Sequence, residues 1–266
     1  MPPLSRRCME SWKKFCCDYE IIRWDERNFS IDQSPKYVRQ AYAAKKWAFV
    51  SDYVRLFVLY RYGGIYMDTD VEVIKPIDRF LVHGAFSGFE DETSIPTGIM
   101  GSEPRNPWIG MLLEDYNHRE FVKPDGSYDY TTNVKVITEL TVERYGLIRN
   151  NTLQELADGV VLYPNSYFCP KSIPTGKIAV ADVTHTIHHF AGSWVGSKTS
   201  KVLRQWRDQA LDIAFTSYQD RDWRTAYSMA FLSLYLNPKL IFNRGMWAVI
   251  LKSVWRDWLD KQEDKA

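Results

Sequence analysis

The stretch from Trp47 to Ile74 constrains this chain more than any other. Phe49, Val50, Val54, Phe57, Val58 and Arg61 recur at the spacing of one helix face, so Trp47 to Tyr62 reads as a helix. Gly63-Gly64 ends it, because glycine accepts the positive φ that a helix C-terminus commonly needs. Ile65-Tyr66-Met67 is β-prone, two carboxylates follow at Asp68 and Asp70, and Val71-Glu72-Val73-Ile74 continues the strand until Lys75-Pro76 closes it. Residues two apart in an extended chain point to the same side, so Asp68 and Asp70 converge on one small charged object. The simplest such object is a divalent cation carrying a phosphate.

An acidic pair alone is a cheap signal, and this chain holds a control. Asp220-Arg221-Asp222 repeats the pattern where a helix is expected to start, and acidic side chains there favour the helix dipole. Asp68 and Asp70 differ in context. They sit where a buried strand would emerge, after a glycine pair that lets another group approach the backbone. Two acids so placed repel each other unless a cation compensates them; a solvated strand end is the alternative. Asp52 and Arg55, one turn apart on the preceding helix, read by themselves as a surface ion pair worth under ~1 kcal/mol.

Composition narrows the class. The 266 residues carry a formal charge of +1, enough for an α/β domain with an appendage and no reason to expect nucleic acid as a partner. The aromatic share is 15%, and Trp and Tyr stack on sugars as well as filling cores. Cys8, Cys16, Cys17 and Cys169 form no CxxC pair, and three crowd into one segment; they read as the reduced thiols of a cytoplasmic protein. No signal peptide is visible, and no apolar run approaches the ~20 residues of a membrane span. The expectation is a soluble protein, at most one resting on the inner face of the cell membrane.

Along the chain, Leu4 to Cys17 reads as a helix, Tyr19 to Trp24 as a strand, and Pro35 opens a helix running towards Lys46. Ala85–Phe89 and Ile95–Met100 read as strands separated by the acidic turn Glu90-Asp91-Glu92. Pro107–Asn117 and Val134–Tyr145 look helical; Val160–Tyr163, Ile178–Val180 and Thr184–Phe190 look like short strands. From about Ser200 the pattern becomes helical, over Lys201–Phe215, Trp223–Leu236 and Pro238–Trp258. The organisation expected is an α/β part over 1–199 and a helical appendage over 200–266.

Taken together, Ser51-Asp52-x-x-Arg55 and Tyr62-Gly63-Gly64-Ile65-Tyr66-x-Asp68-x-Asp70 resemble the DxD sugar-binding region of glycosyltransferase family 32. That family includes bacterial polysaccharide and capsule transferases and fungal mannosyltransferases, and the glucosylating domains of clostridial toxins share the pattern. His188-His189-Phe190-Ala191-Gly192-Ser193-Trp194 looks like the C-terminal motif of these enzymes and is similar to the His-Phe-x-Gly of glycogenin-type transferases. Glu10 to Lys14 and Asp18 to Ile21 also look like the family, so coverage runs to about Trp194.

The resemblance implies a GT-A-like fold, a Rossmann-like mixed sheet flanked by helices, and retaining transfer from a nucleotide sugar, most simply a UDP-sugar, to a glycan or lipid-linked acceptor. By that analogy Asp52 and Arg55 hold the donor sugar's hydroxyls and Tyr66 flanks the donor. Asp68 touches ribose or metal, and Asp70 ligates Mn²⁺ or Mg²⁺. His189, preferred over His188, completes the metal site; Gly192, Ser193 and Trp194 close over the diphosphate. The segment Glu90 to Met100, with Thr97-Gly98 inside it, is placed on the acceptor side by its position. Relatives usually begin with a strand of the Ile-Pro-Lys-Ile-Ile-His type that supports the base. This sequence starts after it, so the first strand is expected to be missing, and a degenerate, non-catalytic glycan-biosynthesis partner is one outcome.

Ile65 to Val71 also resembles the nucleophile motif of haloacid-dehalogenase phosphatases, in which the first Asp, here Asp68, is phosphorylated. That family wants a later Gly-Asp-x-x-x-Asp cluster, which this sequence lacks. In the tail, Arg244, Lys252 and Arg256 are set among Trp247, Ile250, Leu251, Trp255 and Trp258. Docking on the catalytic part is the default reading of these helices, and peripheral contact with an anionic membrane the sharper one.

Overall fold

Alternation along three short strands decides the architecture. The structure, a computed structural model, describes residues 1–95, 98–172, 176–191, 210, 213–236 and 244–263. In β3 (Ala85–Gly88), β4 (Ile99–Ser102) and β6 (Val160–Tyr163) every residue is buried, so both faces of their sheet are covered. Ala85, Met100, Val160 and Leu162 point into one apolar core; Phe86, Ile99, Val161 and Tyr163 point into another. The strand order is β1-β4-β3-β6-β5, with β1 Gly64–Met67 and β5 Gln154–Glu155 at the edges. Only the β3–β6 pairing is parallel, so the sheet is mixed.

Helices supply the first core. These are α2 (Lys36–Ala43), α3 (Trp47–Tyr62), α4 (Pro107–Glu114) and α5 (Asn133–Tyr145). Leu56 and Leu59 of α3 are almost completely buried there, each contributing about 1.5–3 kcal/mol by leaving water. The α3 bounds match the sequence pattern, and Gly63 ends the helix at φ 70°. A side chain there would also meet the Pro104 ring at 2.7 Å, so two constraints demand glycine.

The second core lies under α1 (Pro3–Phe15), α6 (Asn165–Phe168) and a two-stranded antiparallel pair, β2 Val71–Val73 with β7 Thr186–His188. Trp12 of α1 donates its indole N–H to the Val71 carbonyl at 2.7 Å, and the Ser11 hydroxyl oxygen accepts from the Val73 N–H at 2.9 Å. These bonds anchor the strand that follows Asp70.

Two expected strands do not form. Tyr19 to Trp24 has irregular backbone with Ile21 and Ile22 about half exposed, and it finds no ladder partner among the described residues. Ile178–Val180 makes one isolated bridge, Ile178 to Lys171, and leaves Val180 exposed. Apolar alternation makes a strand only beside a neighbour that can accept its hydrogen bonds.

The chain divides into two units, Met1–Ala191 and Gly192–Ala266. In the second, α7 (Trp223–Leu236) packs on α8 (Arg244–Glu263) through Ala226, Ala230, Met246, Val249 and Ile250. Alanines on α7 let the helices approach closely. Asp222 starts α7, its carboxylate accepting from the Thr225 N–H at 3.2 Å, which is the capping use expected of the control pair. Most of the expected Lys201–Phe215 helix and the start of Pro238–Trp258 lie outside the described residues.

Candidate functional site

The α3–β1 connection fixes the first half of the site. Arg55, on the buried side of α3, places one guanidinium nitrogen 3.0 Å from Asp52 Oδ1 and 3.2 Å from Asp68 Oδ1. The pair read from sequence as a surface contact is therefore a buried network, with the Arg55 side chain only 6% exposed. Tyr66 joins it: its hydroxyl donates to Asp68 Oδ1 at 2.6 Å, and its ring lies 4.6 Å from the Arg55 guanidinium. Burial works against the Arg55 charge, but Asp68, Tyr66 and Asp52 outweigh it and hold the group more firmly protonated than usual. Burial pushes Asp52 up to about 6, against the pull of Arg55. Both partners shift upward because at Asp52 burial, with the like charge of Asp68 adding to it, outweighs the pull of Arg55, whereas at Arg55 the surrounding acids outweigh burial.

β2 and β7 fix the second half. Their antiparallel register sets Val71 opposite His188, and the ladder extends one step as the His189 N–H donates to the Asp70 carbonyl at 3.0 Å. Successive strand residues face opposite sides, so only one of the two histidines can meet the aspartates. It is His188, whose Nε2 lies 3.4 Å from Asp70 Oδ1. The His189 ring turns away, with Nε2 2.7 Å from Glu72 Oε2, and Arg7 pairs with the same Glu72 oxygen at 2.8 Å. The preference for His189 is corrected: the imidazole at the aspartates belongs to His188.

Asp68, Asp70 and His188 offer three ligand atoms, all within 4.8 Å of one another. Asp70 Oδ2 is already used, accepting the Ala191 N–H at 2.7 Å. Its other oxygen faces His188 Nε2, and two lone pairs so close need a proton or a cation between them. Burial disfavours a charged His188, yet the bond to Asp70 and the charges of Asp68, Asp70 and Glu90 raise its pKa above 6.5. Burial likewise opposes the charge on Asp70, and the bonds from His188 and Ala191 bring it below its usual value. Two carboxylates and one imidazole are a donor set that suits Mn²⁺ and also serves Mg²⁺. The residues present fit such an ion, in competition with a proton.

Sequence reasoning placed Glu90 and Gly98 on the acceptor side and Phe190 in the C-terminal motif, but did not bring the three to His188. Glu90, read as part of a separating turn, is a partly buried carboxyl pushed up to about 7 by desolvation, with Asp91 and Asp68 adding and His188 opposing. Gly98 leaves room for His188, since a Cβ there would lie 2.7 Å from its Nδ1. That Nδ1 is buried and has no hydrogen-bond partner among the described residues, so packing rather than a second hydrogen bond orients the ring. Phe190 covers the other side, ring centroids 4.1 Å apart, with its backbone in the left-handed region at φ 51°. The available signal for Glu90 was a carboxylate directly after the mostly apolar run Ala85–Phe89. Gly192, Ser193, Trp194 and Thr97 lie outside the described residues.

Comparison with known proteins bears on this geometry. Residues 2–87 match the family model described as a glycosyltransferase sugar-binding region containing a DXD motif. The front of this chain is similar to that region. Its DXD residues are Asp68, Thr69 and Asp70, and the match takes in Asp52, Arg55 and Tyr66. Inositol phosphoceramide mannosyltransferase 2 of Schizosaccharomyces pombe is 31% identical over 101 residues, covering 37% of this chain and 29% of that protein. Human alpha-1,4-N-acetylglucosaminyltransferase is 38% identical over 79 residues, 29% of this chain and 22% of its own length. The uncharacterized glycosyltransferase L373 of Acanthamoeba polyphaga mimivirus is 24% identical over 186 residues, 65% of this chain and 71% of its own. The alignments thus span under a third of the length of the fungal and human relatives.

Proposed function

We propose that this chain is a metal-dependent, retaining glycosyltransferase with a GT-A-like catalytic unit of the family 32 type. It moves a sugar from a nucleotide-sugar donor, a UDP-sugar first, to a glycan or lipid-linked acceptor. The observation that carries this reading is one shared residue: Asp68 belongs both to the three-donor corner with Asp70 and His188 and to the buried Asp52–Arg55–Tyr66 network. The printed activities of the relatives support sugar transfer and leave the sugar open.

A divalent ion held by Asp68, Asp70 and His188 would offset the charge that builds on the nucleoside diphosphate. Asp52, an acceptor only, takes hydrogen bonds from the donor sugar's hydroxyls, and the planar Arg55 fork next to it fixes their orientation. Tyr66 flanks the donor on the same side. Asp68 Oδ1 is tied by the Tyr66 hydroxyl and Arg55, which leaves it a poor covalent nucleophile and weighs against the phosphatase reading. In the transfer proposed, the acceptor hydroxyl attacks the anomeric carbon from the face the diphosphate leaves. The new C–O bond forms as the sugar–phosphate bond breaks, and the hydroxyl proton passes to the departing phosphate oxygen, so configuration is retained. A lipid-linked acceptor would place the protein at the cytoplasmic face of a membrane; no helix among the described residues is long and apolar enough to cross one.

The test is a panel of UDP- and GDP-sugars with Mn²⁺, scored for sugar release, beside a phosphomonoester. One nucleotide sugar should be hydrolysed in a chelator-sensitive way, with the monoester untouched. Monoester turnover without sugar release would replace this reading with the phosphatase one.

A further inference from the structure

The helical unit holds a cleft of about 600 Å³ that shares no residue with the DXD region, lined by Tyr218, Arg221, Trp223, Lys252, Trp255 and Arg256. Its walls are three cations and three aromatic rings. Lys252, Trp255 and Arg256 stand three and four residues apart on one face of α8; Tyr218 comes from the helical residues 213–219, Arg221 from the turn after them, and Trp223 is the first residue of α7. The volume lies in the range of small-molecule sites.

Three features mark this cleft as more than a solvated helix face. None of its three cations has an ion-pair partner among the described residues, whereas the neighbouring Arg224 is paired with Asp257 at 3.0 Å. Like charges gathered in one concavity repel unless an anion joins them. Trp255 is 58% exposed, with the Arg256 guanidinium 5.5 Å from its ring, so an apolar face is presented beside a positive charge. Arg221 sits at φ 62°, a conformation an L side chain rarely adopts and a turn of this kind usually gives to glycine. An arginine there is less stable than a glycine would be, and its side chain lines the cleft.

We propose that this cleft binds a phosphate ester carried on a ring, the phosphate among Arg221, Lys252 and Arg256 and the ring against Trp255 and Trp223. A soluble sugar phosphate and the headgroup of a ring-bearing phospholipid share that chemistry. Arg forks and a Lys ammonium recognise the phosphate oxygens, and indole faces stack on the ring.

The full chain is titrated with glucose 1-phosphate by calorimetry. It is also floated with phosphatidylcholine vesicles containing either phosphatidylinositol or charge-matched phosphatidylglycerol. The variants are Trp255→Ala, Arg221→Gly, and Arg221→Gly combined with Lys252→Ala and Arg256→Ala. Glycine at 221 suits the left-handed turn, so Arg221→Gly keeps or raises the melting temperature while weakening binding, a combination that a purely structural role would not give. The triple variant should bind roughly tenfold or more weakly. Glucose 1-phosphate binding lost in the triple variant identifies a soluble ligand. Preference for phosphatidylinositol over phosphatidylglycerol, lost in the same variant, identifies a lipid headgroup. Failure to bind either probe, equal binding by the triple variant, or equal flotation with both anionic lipids overturns the proposal. None of these readouts depends on sugar transfer, so the outcome is separable from the proposed activity.

Discussion

Arg55 ties the donor side of the site to the metal corner, because one guanidinium serves Asp52, Asp68 and the Tyr66 ring together. Its spacing from Asp52 was legible in the sequence; its burial and its reach to Asp68 were not, since they depend on the path β1 takes after Gly63-Gly64. Arg55→Ala leaves two carboxylates without their cation and should cost roughly 3–5 kcal/mol of stability, read by denaturant unfolding. In the folded fraction, nucleotide-sugar affinity should fall more than affinity for the bare nucleoside diphosphate. Arg55→Lys should not restore it, because a point charge cannot serve both acids and stack on Tyr66. Glu90 gives a prediction with a definite sign. A carboxyl whose folded pKa is raised from 4.5 to about 7 favours the folded state while protonated. That stabilisation is complete below about 4.5 and is lost as pH rises through about 7. In chelator-treated protein, Glu90→Gln should therefore melt above wild type at pH beyond about 7, with the gap closing below about 4.5. A gap that does not change with pH would show that Glu90 is not the partly buried acid described.

At the scale of elements, pairing decides what periodicity leaves open. The helix over Trp47–Tyr62 and the strands at Ala85 and Val160 followed from local pattern, whereas the strand expected over Ile95–Met100 overlaps β4 only at Ile99 and Met100. Tyr19 to Trp24 carried the same kind of pattern and forms no strand, because no neighbour in the described sheet takes its hydrogen bonds. The choice between His188 and His189 was of this kind too. Alternation guarantees that one faces the aspartates, and only the β2–β7 register says which. Two glycines separate stability from function. A Cβ at Gly101 would lie 2.1 Å from the Phe86 ring in the sheet core, so Gly101→Ala should cost about 1–3 kcal/mol by overpacking. A Cβ at Gly98 would press on His188 instead. Gly98→Ala should keep the fold and lower Mn²⁺ affinity roughly 10–100-fold, as disturbed outer-shell contacts do. Unfolding midpoints and Mn²⁺ titrations on the same two variants measure both effects.

Over the whole molecule, the α/β character and the helical tail were legible from composition and spacing, and the two units have separate apolar cores. Convergence was legible only through the family resemblance, not from the residues themselves. Asp52, Asp68 and His188 come together because the N-terminal half of α3 lies beside the C-terminal ends of β1 and β7. That convergence is the central claim, and Mn²⁺ binding followed by the electron paramagnetic resonance of free Mn²⁺ tests it most directly. Wild type should bind one ion, more weakly as pH falls and His188 takes up its proton. Asp70→Ala and His188→Ala should each lose roughly 10–100-fold or more in affinity, while His189→Ala stays within a few-fold of wild type. Mn²⁺ bound as tightly by Asp70→Ala as by wild type, or affinity lost with His189 and kept without His188, would contradict the account.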